Sequence, residues 1–205
     1  MIGVATVRTE VPGDSGRGAR AARLTRADWV EAATATLAAD GLVGVAVEPI
    51  AARLGVTKGS FYSHFGSRQD LVEAVLHEWQ RTDTDDILSA LQAVEDPRAQ
   101  LHGFLDFSYG RRQWGQVFAA LCASASDPLV EPTMIAVREA RLTYLRAALL
   151  GLGLAPEDAD DRAALLYASY VGFWRLVAAD PDWEPGREAH LQRFADHVKS
   201  ALIPS

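Results

Sequence analysis

GVTKGSFYSHF, residues 55–65, decides how the chain is read. A core helix does not crowd Thr57, Lys58, Ser60, Tyr62, Ser63 and His64 together, and a loop has no use for Phe61 and Phe65 four residues apart. That i,i+4 spacing puts both phenylalanines on one helical face and leaves the other faces polar. Ahead of them, Gly55 can take the left-handed conformation that stops a helix sharply. Before Gly55, Val47 to Leu54 reads as another helix. Pro49 is tolerated in its first turn, and Ile50, Ala51 and Leu54 face inward. Helix, glycine turn and polar-faced helix make a helix-turn-helix, whose second member enters the DNA major groove with its N-terminal end near base edges. That end is Thr57-Lys58-Gly59-Ser60. Lys58 offers a phosphate or guanine contact, Gly59 lets backbone approach DNA, and Tyr62 and His64 reach phosphates.

The flanks fit this reading. Thr25 is an N-cap with Asp28 three residues on, a capping-box spacing, and Leu24 and Trp29 sit where a hydrophobic staple forms. Val30, Ala33 and Leu37 continue one apolar stripe, and Gly41 ends the helix. A fourth helix starts at Ser67 with Asp70 at the same spacing. Its buried stripe is Leu71, Val72, Val75, Leu76 and Trp79, and it runs to about Arg81.

Residues 41–71, GLVGVAVEPIAARLGVTKGSFYSHFGSRQDL, closely resemble the DNA-binding signature of TetR-family transcriptional regulators. The resemblance rests on Ile50-Ala51, Gly55-Val56, Thr57-Lys58-Gly59-Ser60, Phe61-Tyr62, His64-Phe65, Ser67-Arg68 and Asp70-Leu71. It covers the first third of the chain. It implies base or phosphate contacts from Thr57, Lys58, Gly59, Ser60, Tyr62 and His64, and a phosphate contact from Arg68. One position departs from the pattern. The family usually has Thr or Ser just before the second helix, where this chain has Ala46, followed by Val47 and Glu48. A missing cap costs about 1 kcal/mol, and Glu48 would repel phosphate if it faced DNA.

The bulk composition agrees with an ordinary globular chain: 49% of the 205 residues are hydrophobic and 23% charged. The net charge of −7 excludes a wholly basic nucleic-acid coat. Charge is unevenly spread. Residues 1–68 hold eight Lys/Arg against six Asp/Glu, and residues 69–205 hold twelve against twenty-one. A basic front on an acidic body fits a chain that meets a polyanion with one end, although solvation alone also produces such asymmetry. Cys122 is the one cysteine, so no intrachain disulfide forms. No stretch approaches the roughly 18 apolar residues of a membrane helix. A soluble cytoplasmic protein is expected.

Residues 1–23 lack periodicity and read as a mobile arm. Arg17, Arg20, Arg23 and Arg26 recur every third residue there, as a solubilising tail or as contacts to phosphates or a minor groove. From residue 83 onward, helices are expected at about 84–94, 98–109, 113–125, 129–150, 157–179 and 187–202, with breaks at Asp96-Pro97, Gly110, Asp127-Pro128, Gly151 to Gly153, Asp180-Pro181 and Pro185-Gly186. The expected fold is all-α, about nine helices in total. A three-helix DNA-binding domain (24–68) precedes a helical ligand-binding and dimerisation domain (69–205).

In that second domain Ala164, Ala168 and Gly172 make a small-residue ridge, flanked by Leu165, Tyr167, Val171 and Leu176. Leu191, Phe194, Ala195, Val198, Ala201 and Leu202 form a clean stripe on the last helix. Either pattern packs within one subunit or between two. The resemblance implies an intersubunit four-helix bundle, with Ala164, Ala168, Gly172, Leu191, Phe194 and Val198 at the interface. A two-fold dimer also sets two recognition helices roughly 34–36 Å apart, one DNA turn. The resemblance further implies a small-molecule cavity. Its candidate residues are Phe104, Trp114, Phe118, Cys122, Tyr144, Tyr170 and Trp174, although each aromatic also serves as plain core. Cys122, with Leu121 and Ala123 beside it, reads as an inert buried thiol.

Arg111-Arg112 and Arg138-Arg141 read as solvated helix faces, with receipt of a carboxylate ligand as the alternative. His190 and His197 are spaced wrongly for a metal site. No cofactor and no metal is expected. The chain carries no Gly-x-Ser-x-Gly, phosphate loop, His-Glu-x-x-His or cysteine pair to suggest an enzyme. The expected partners are an operator in double-stranded DNA, a small-molecule effector and a second copy of the chain. The expected role is a ligand-responsive regulator, a repressor on the family's pattern. A helix-turn-helix that binds protein is the competing reading, and salt dependence separates the two.

Overall fold

The computed structural model describes residues 24–180, 182–183, 187 and 190–204 of the chain. The arm at 1–23, the Pro185-Gly186 break and part of the Asp180-Pro181 break lie outside the described residues. All regular structure within them is helical.

Helix α1 (Arg26–Gly44) opens with the expected capping box: Thr25 N–H donates to Asp28 Oδ2 at 2.6 Å, and Asp28 N–H to Thr25 Oγ1 at 3.3 Å. Its regular turns end at Gly41, where φ is +70°. Helix α2 (Val47–Arg53) is capped by Ala46 in extended conformation without a side-chain bond. Pro49 is the third residue of α2, so the N–H that a capping hydroxyl most often serves is absent there. Helix α3 (Lys58–Phe61) is a single turn, and α4 (Arg68–Gln80) begins with Ser67 Oγ accepting from Asp70 N–H at 3.1 Å. Trp29, Ile50, Phe61, Phe65 and Leu71 close the small core between these helices, with Trp29 edge-on to Phe61 at 5.3 Å.

The fourth helix does not stop near Arg81. A π-helical turn (Arg81–Asp85) carries it without interruption into α5 (Asp86–Gln92). The sequence reading ends one helix near Arg81 and starts the next at about residue 84. In the structure Asp83 and Thr84 are buried, because Arg141 offers them partners inside. Beyond lie α6 (Pro97–Gly110), α7 (Arg112–Ala123), α8 (Glu131–Gly151), α9 (Pro156–Ala179) and α10 (Leu191–Leu202). Asp96, Gly151 and Gly153 punctuate them as the sequence suggests; Gly153 has φ +87°. The packing is helix on helix throughout. α1 lies along both α4 and α7, α8 along α9, and α10 along α6. Through α1 and α4 the small N-terminal core is continuous with the large one.

Candidate DNA interface and effector domain

The turn between α2 and α3 is built as the sequence requires. Gly55 has φ +70°, and Gly55 and Val56 N–H close the turn onto Ala52 and Ala51 carbonyls at 3.1 and 3.0 Å. The amphipathic division of α3 is sharp. Phe61 and Phe65 are buried and stacked at 5.5 Å, while Tyr62 is 56% exposed. Thr57, Lys58 and Gly59 are exposed, and Ser60 and His64 half-exposed. A Cβ on Gly59 would touch only Thr57 Oγ1, at an ordinary 3.6 Å. Nothing inside the protein therefore requires glycine at that position.

Two charged residues sit differently from their sequence reading. Glu48 does not stand alone against phosphate: Lys58 Nζ donates to its Oε1 at 2.5 Å. That hydrogen bond holds the Lys58 ammonium above its usual pKa and the Glu48 carboxyl below its own. Arg68 is exposed but commits two of its guanidinium nitrogens to the protein itself. Its Nε donates to Val45 O at 2.5 Å and its Nη2 to Leu42 O at 2.7 Å. These carbonyls end α1, so Arg68 ties the start of α4 to the entry of α2. A phosphate contact from Arg68 has Nη1 left to use. The sequence signal for this role is weak, because Leu42 and Val45 are 26 and 23 positions away.

The seven expected effector residues do not form one cluster. Phe104 stacks on Tyr144 at 5.6 Å, and the Tyr144 hydroxyl donates to Gln100 O at 3.3 Å. Trp174 is fully buried, donates Nε1–H to Ser108 O at 3.2 Å, and lies against Gly115. Trp114 is half-buried in a separate cleft of about 980 Å³ between α1, α4 and the start of α7, lined also by Arg26, Asp70, Glu73 and His77. Phe118 and Tyr170 pack at 4.5 Å, with Cys122 near them on α7. Burial pushes the Cys122 thiol up to about 11, as expected of an inert cysteine.

Beside Phe118 and Tyr170 lies a residue placed differently from its sequence reading. Arg141 is not on a solvated face. It is 2% exposed, with its Cζ 5.0 Å from the Tyr170 ring centre and 5.7 Å from that of Phe118. Its Nη2 donates to Asp83 Oδ2 at 2.7 Å and Asp83 O at 2.9 Å, and its Nε to Thr84 Oγ1 at 3.2 Å. Burial pushes the Asp83 carboxyl up against the opposing pull of Arg141. A signal existed: Val137, Arg141, Tyr144, Leu145 and Ala148 fall on one helical stripe, and every other member is apolar or aromatic.

The dimer candidates also divide. Ala164, Ala168 and Gly172 are exposed on α9, beside Leu165 and Leu176, which are 55% and 53% exposed. Leu191 and Val198 are buried within the single chain, at 2% and 8% exposure. Phe194 is half-buried and packs on Phe173 at 4.4 Å and Tyr109 at 5.4 Å. The stripe of α10 is consumed by α6 and α9.

Comparison with known proteins agrees with this geometry. Residues 30–75 match the model of bacterial regulatory proteins, tetR family. A probable HTH-type transcriptional regulator of Pseudomonas putida, ArpR, is 26% identical over 184 residues, 78% of this chain and 85% of that one. Among solved structures, a transcriptional regulator from Rhodococcus sp. Rha1 is 26% identical, with a TM-score of 0.69 over 88% of this chain and 96% of its own. AibR, solved in complex with isovaleryl coenzyme A and operator DNA, shares the fold at a TM-score of 0.67 and 19% identity, over 87% and 98% of the two chains. Residues 30–75 thus match a regulatory domain of the tetR family, and the curated relatives that align with most of the chain are transcriptional regulators. Among the described residues no helix is long and apolar enough to cross a membrane, and no group of side chains is arranged to hold a metal.

Proposed function

We propose that the chain represses transcription by binding an inverted-repeat operator as a homodimer, and that a small molecule bound to residues 69–205 releases it. Residues 24–68 are the DNA-binding domain in this reading. The observation that carries it is the division of α3: Phe61 and Phe65 are buried, and Thr57, Lys58, Gly59, Ser60, Tyr62 and His64 lie outside that core. A one-turn helix with this much outward hydrogen-bonding capacity is matched to base edges and phosphates. The exposed ridge Ala164-Ala168-Gly172, flanked by Leu165 and Leu176, supports pairing of two chains through α9. The AibR complex, which holds both a ligand and operator DNA, supports joining the two activities in one fold. Release then follows if the effector binds more tightly to the conformation that does not fit DNA.

The test is a polarisation titration against DNA from upstream of the protein's own gene, at two salt concentrations. Saturable binding to one inverted repeat, weakened by salt, is expected. Lys58→Ala should weaken it and flatten the salt slope by about 1, because one phosphate-directed cation is lost. Binding with no preference over random DNA, there or after genomic selection, would sink the operator reading. A variant with the wild-type salt slope would remove Lys58 from the interface.

A further inference from the structure

The pair Arg141–Asp83 is costly to bury, and nothing in the core demands it. Two charges withdrawn from water regain that cost only with full hydrogen bonding, and an apolar pair of similar size serves stability as well. Hydrogen bonding here is not full. Nη2 and Nε are served by Asp83 and Thr84, but Nη1 is buried with no partner. Aromatic rings of α7 and α9 flank the guanidinium. The pair also occupies a particular place. Asp83 and Thr84 belong to the π turn, and the π turn joins α5 to α4 and through it to the helix-turn-helix. Arg141 belongs to α8, in the body.

We propose that Arg141 is the anchor for the carboxylate of an acidic effector, which takes the guanidinium from Asp83 and so re-aims α4. This names the effector class for the regulator proposed above and rests on that reading. A guanidinium presents its donors as a planar fork that a carboxylate fills with two parallel bonds. Asp83 fills one tine and leaves Nη1 over. A free carboxylate is not tied to a backbone and satisfies Nη1 and Nη2 together. The flanking Phe118 offers an apolar wall to the rest of such a molecule, and the buried Tyr170 adds a hydroxyl beside the guanidinium. The displaced segment is suited to move. A π turn holds one residue more than an α turn, and such turns recur at functional sites. Once Asp83 and Thr84 are released, a return to α geometry rotates α4 against α5 by roughly 100°, the angle of one helical residue, unless α4 tilts instead. Either movement turns α3 away from its groove. The effector's preference for the state in which Arg141 is vacated is the differential affinity that release requires.

The experiment uses the full chain and Asp83→Asn, which keeps the shape and removes the charge, with acetate as the carboxylate and chloride at equal ionic strength as control. Asp83→Asn is expected to bind operator at least about tenfold more weakly than wild type, a difference of about 1.4 kcal/mol. Acetate, not chloride, should raise its melting midpoint by about 3 °C. Wild type should respond far less, and Arg141→Gln not at all. An Asp83→Asn chain that folds in acetate and not in chloride supports the proposal equally. Wild-type operator affinity in Asp83→Asn overturns the coupling. Equal behaviour in the two salts, including failure to fold in both, overturns the carboxylate site. The salt comparison needs no DNA, so failure of wild type to bind any operator sinks the regulator reading separately.

Discussion

At Gly59 the protein's interior is indifferent to a side chain, and the candidate DNA surface is not. Gly59→Ala is expected to stabilise α3 by about 0.5–1 kcal/mol, because alanine loses less conformational entropy in a helix. The same substitution should weaken operator binding, because in the proposed interface the methyl would stand where backbone meets the groove. Thermal melting and a polarisation titration on one preparation check both signs; operator affinity that rises with stability would show that Gly59 does not face DNA. The outward residues of α3 were legible in the sequence because their spacing is local: Phe61 and Phe65 fix which way the helix rolls. Arg68 and Arg141 were not legible, since their partners are distant. Arg68 serves carbonyls left over at the end of α1, and Arg141 a carboxylate on another helix. Local pattern carries no information about which buried acceptor a long cation will find.

The elements themselves were largely readable, because caps and breakers act within a few residues. Thr25, Ser67, Asp96, Gly41, Gly55 and Gly153 each do what their type implies. The continuity across residues 81–85 was not legible for the opposite reason: that polar run is held helical by tertiary partners. Ala46 and Pro49 form a related case. With no N–H at Pro49, Ala46→Thr has only the Glu48 N–H to accept from, so the gain should be at the low end of capping, about 0.5 kcal/mol. In a Pro49→Lys background the same change should give about 1 kcal/mol. Equal shifts in the two backgrounds, by thermal melting, would remove this account.

The intact caps predict a pH dependence. The Thr25 backbone N–H holds the Asp28 carboxyl below its usual range, and the Ser67 hydroxyl does the same for Asp70. Folded values below unfolded ones stabilise the fold above the ordinary carboxylate pKa of about 3.9, and that stability is lost as pH falls through the folded values. The melting midpoint should drop below about pH 4, and the drop should be shallower in an Asp28→Asn, Asp70→Asn variant.

For the whole molecule, the exposed ridge of α9 is the feature that one chain leaves unused. A Cβ at Gly172 meets no atom of its own subunit within 4 Å. Gly172→Arg is therefore expected to leave the fold intact and to separate two chains into one, as read by sedimentation. Val198→Ala, in the subunit's own core, should lower stability and leave the mass unchanged. An unchanged association state in Gly172→Arg would exclude that ridge from the interface. The acidic excess of the chain is confined to residues 69–205, away from the proposed DNA-binding domain.

The unbroken run of α4 into the π turn gives the N-terminal domain a mechanical advantage. Thirteen residues of α4 make an arm roughly 20 Å long at 1.5 Å per residue. A tilt of about 10° at the π turn displaces the far end of that arm by about 3.5 Å. A two-fold partner would undergo the same displacement rotated by the two-fold axis, so the spacing of two reading heads changes by up to about twice as much. A movement of one carboxylate width beside Arg141 is thus geared up to the scale at which a groove is missed.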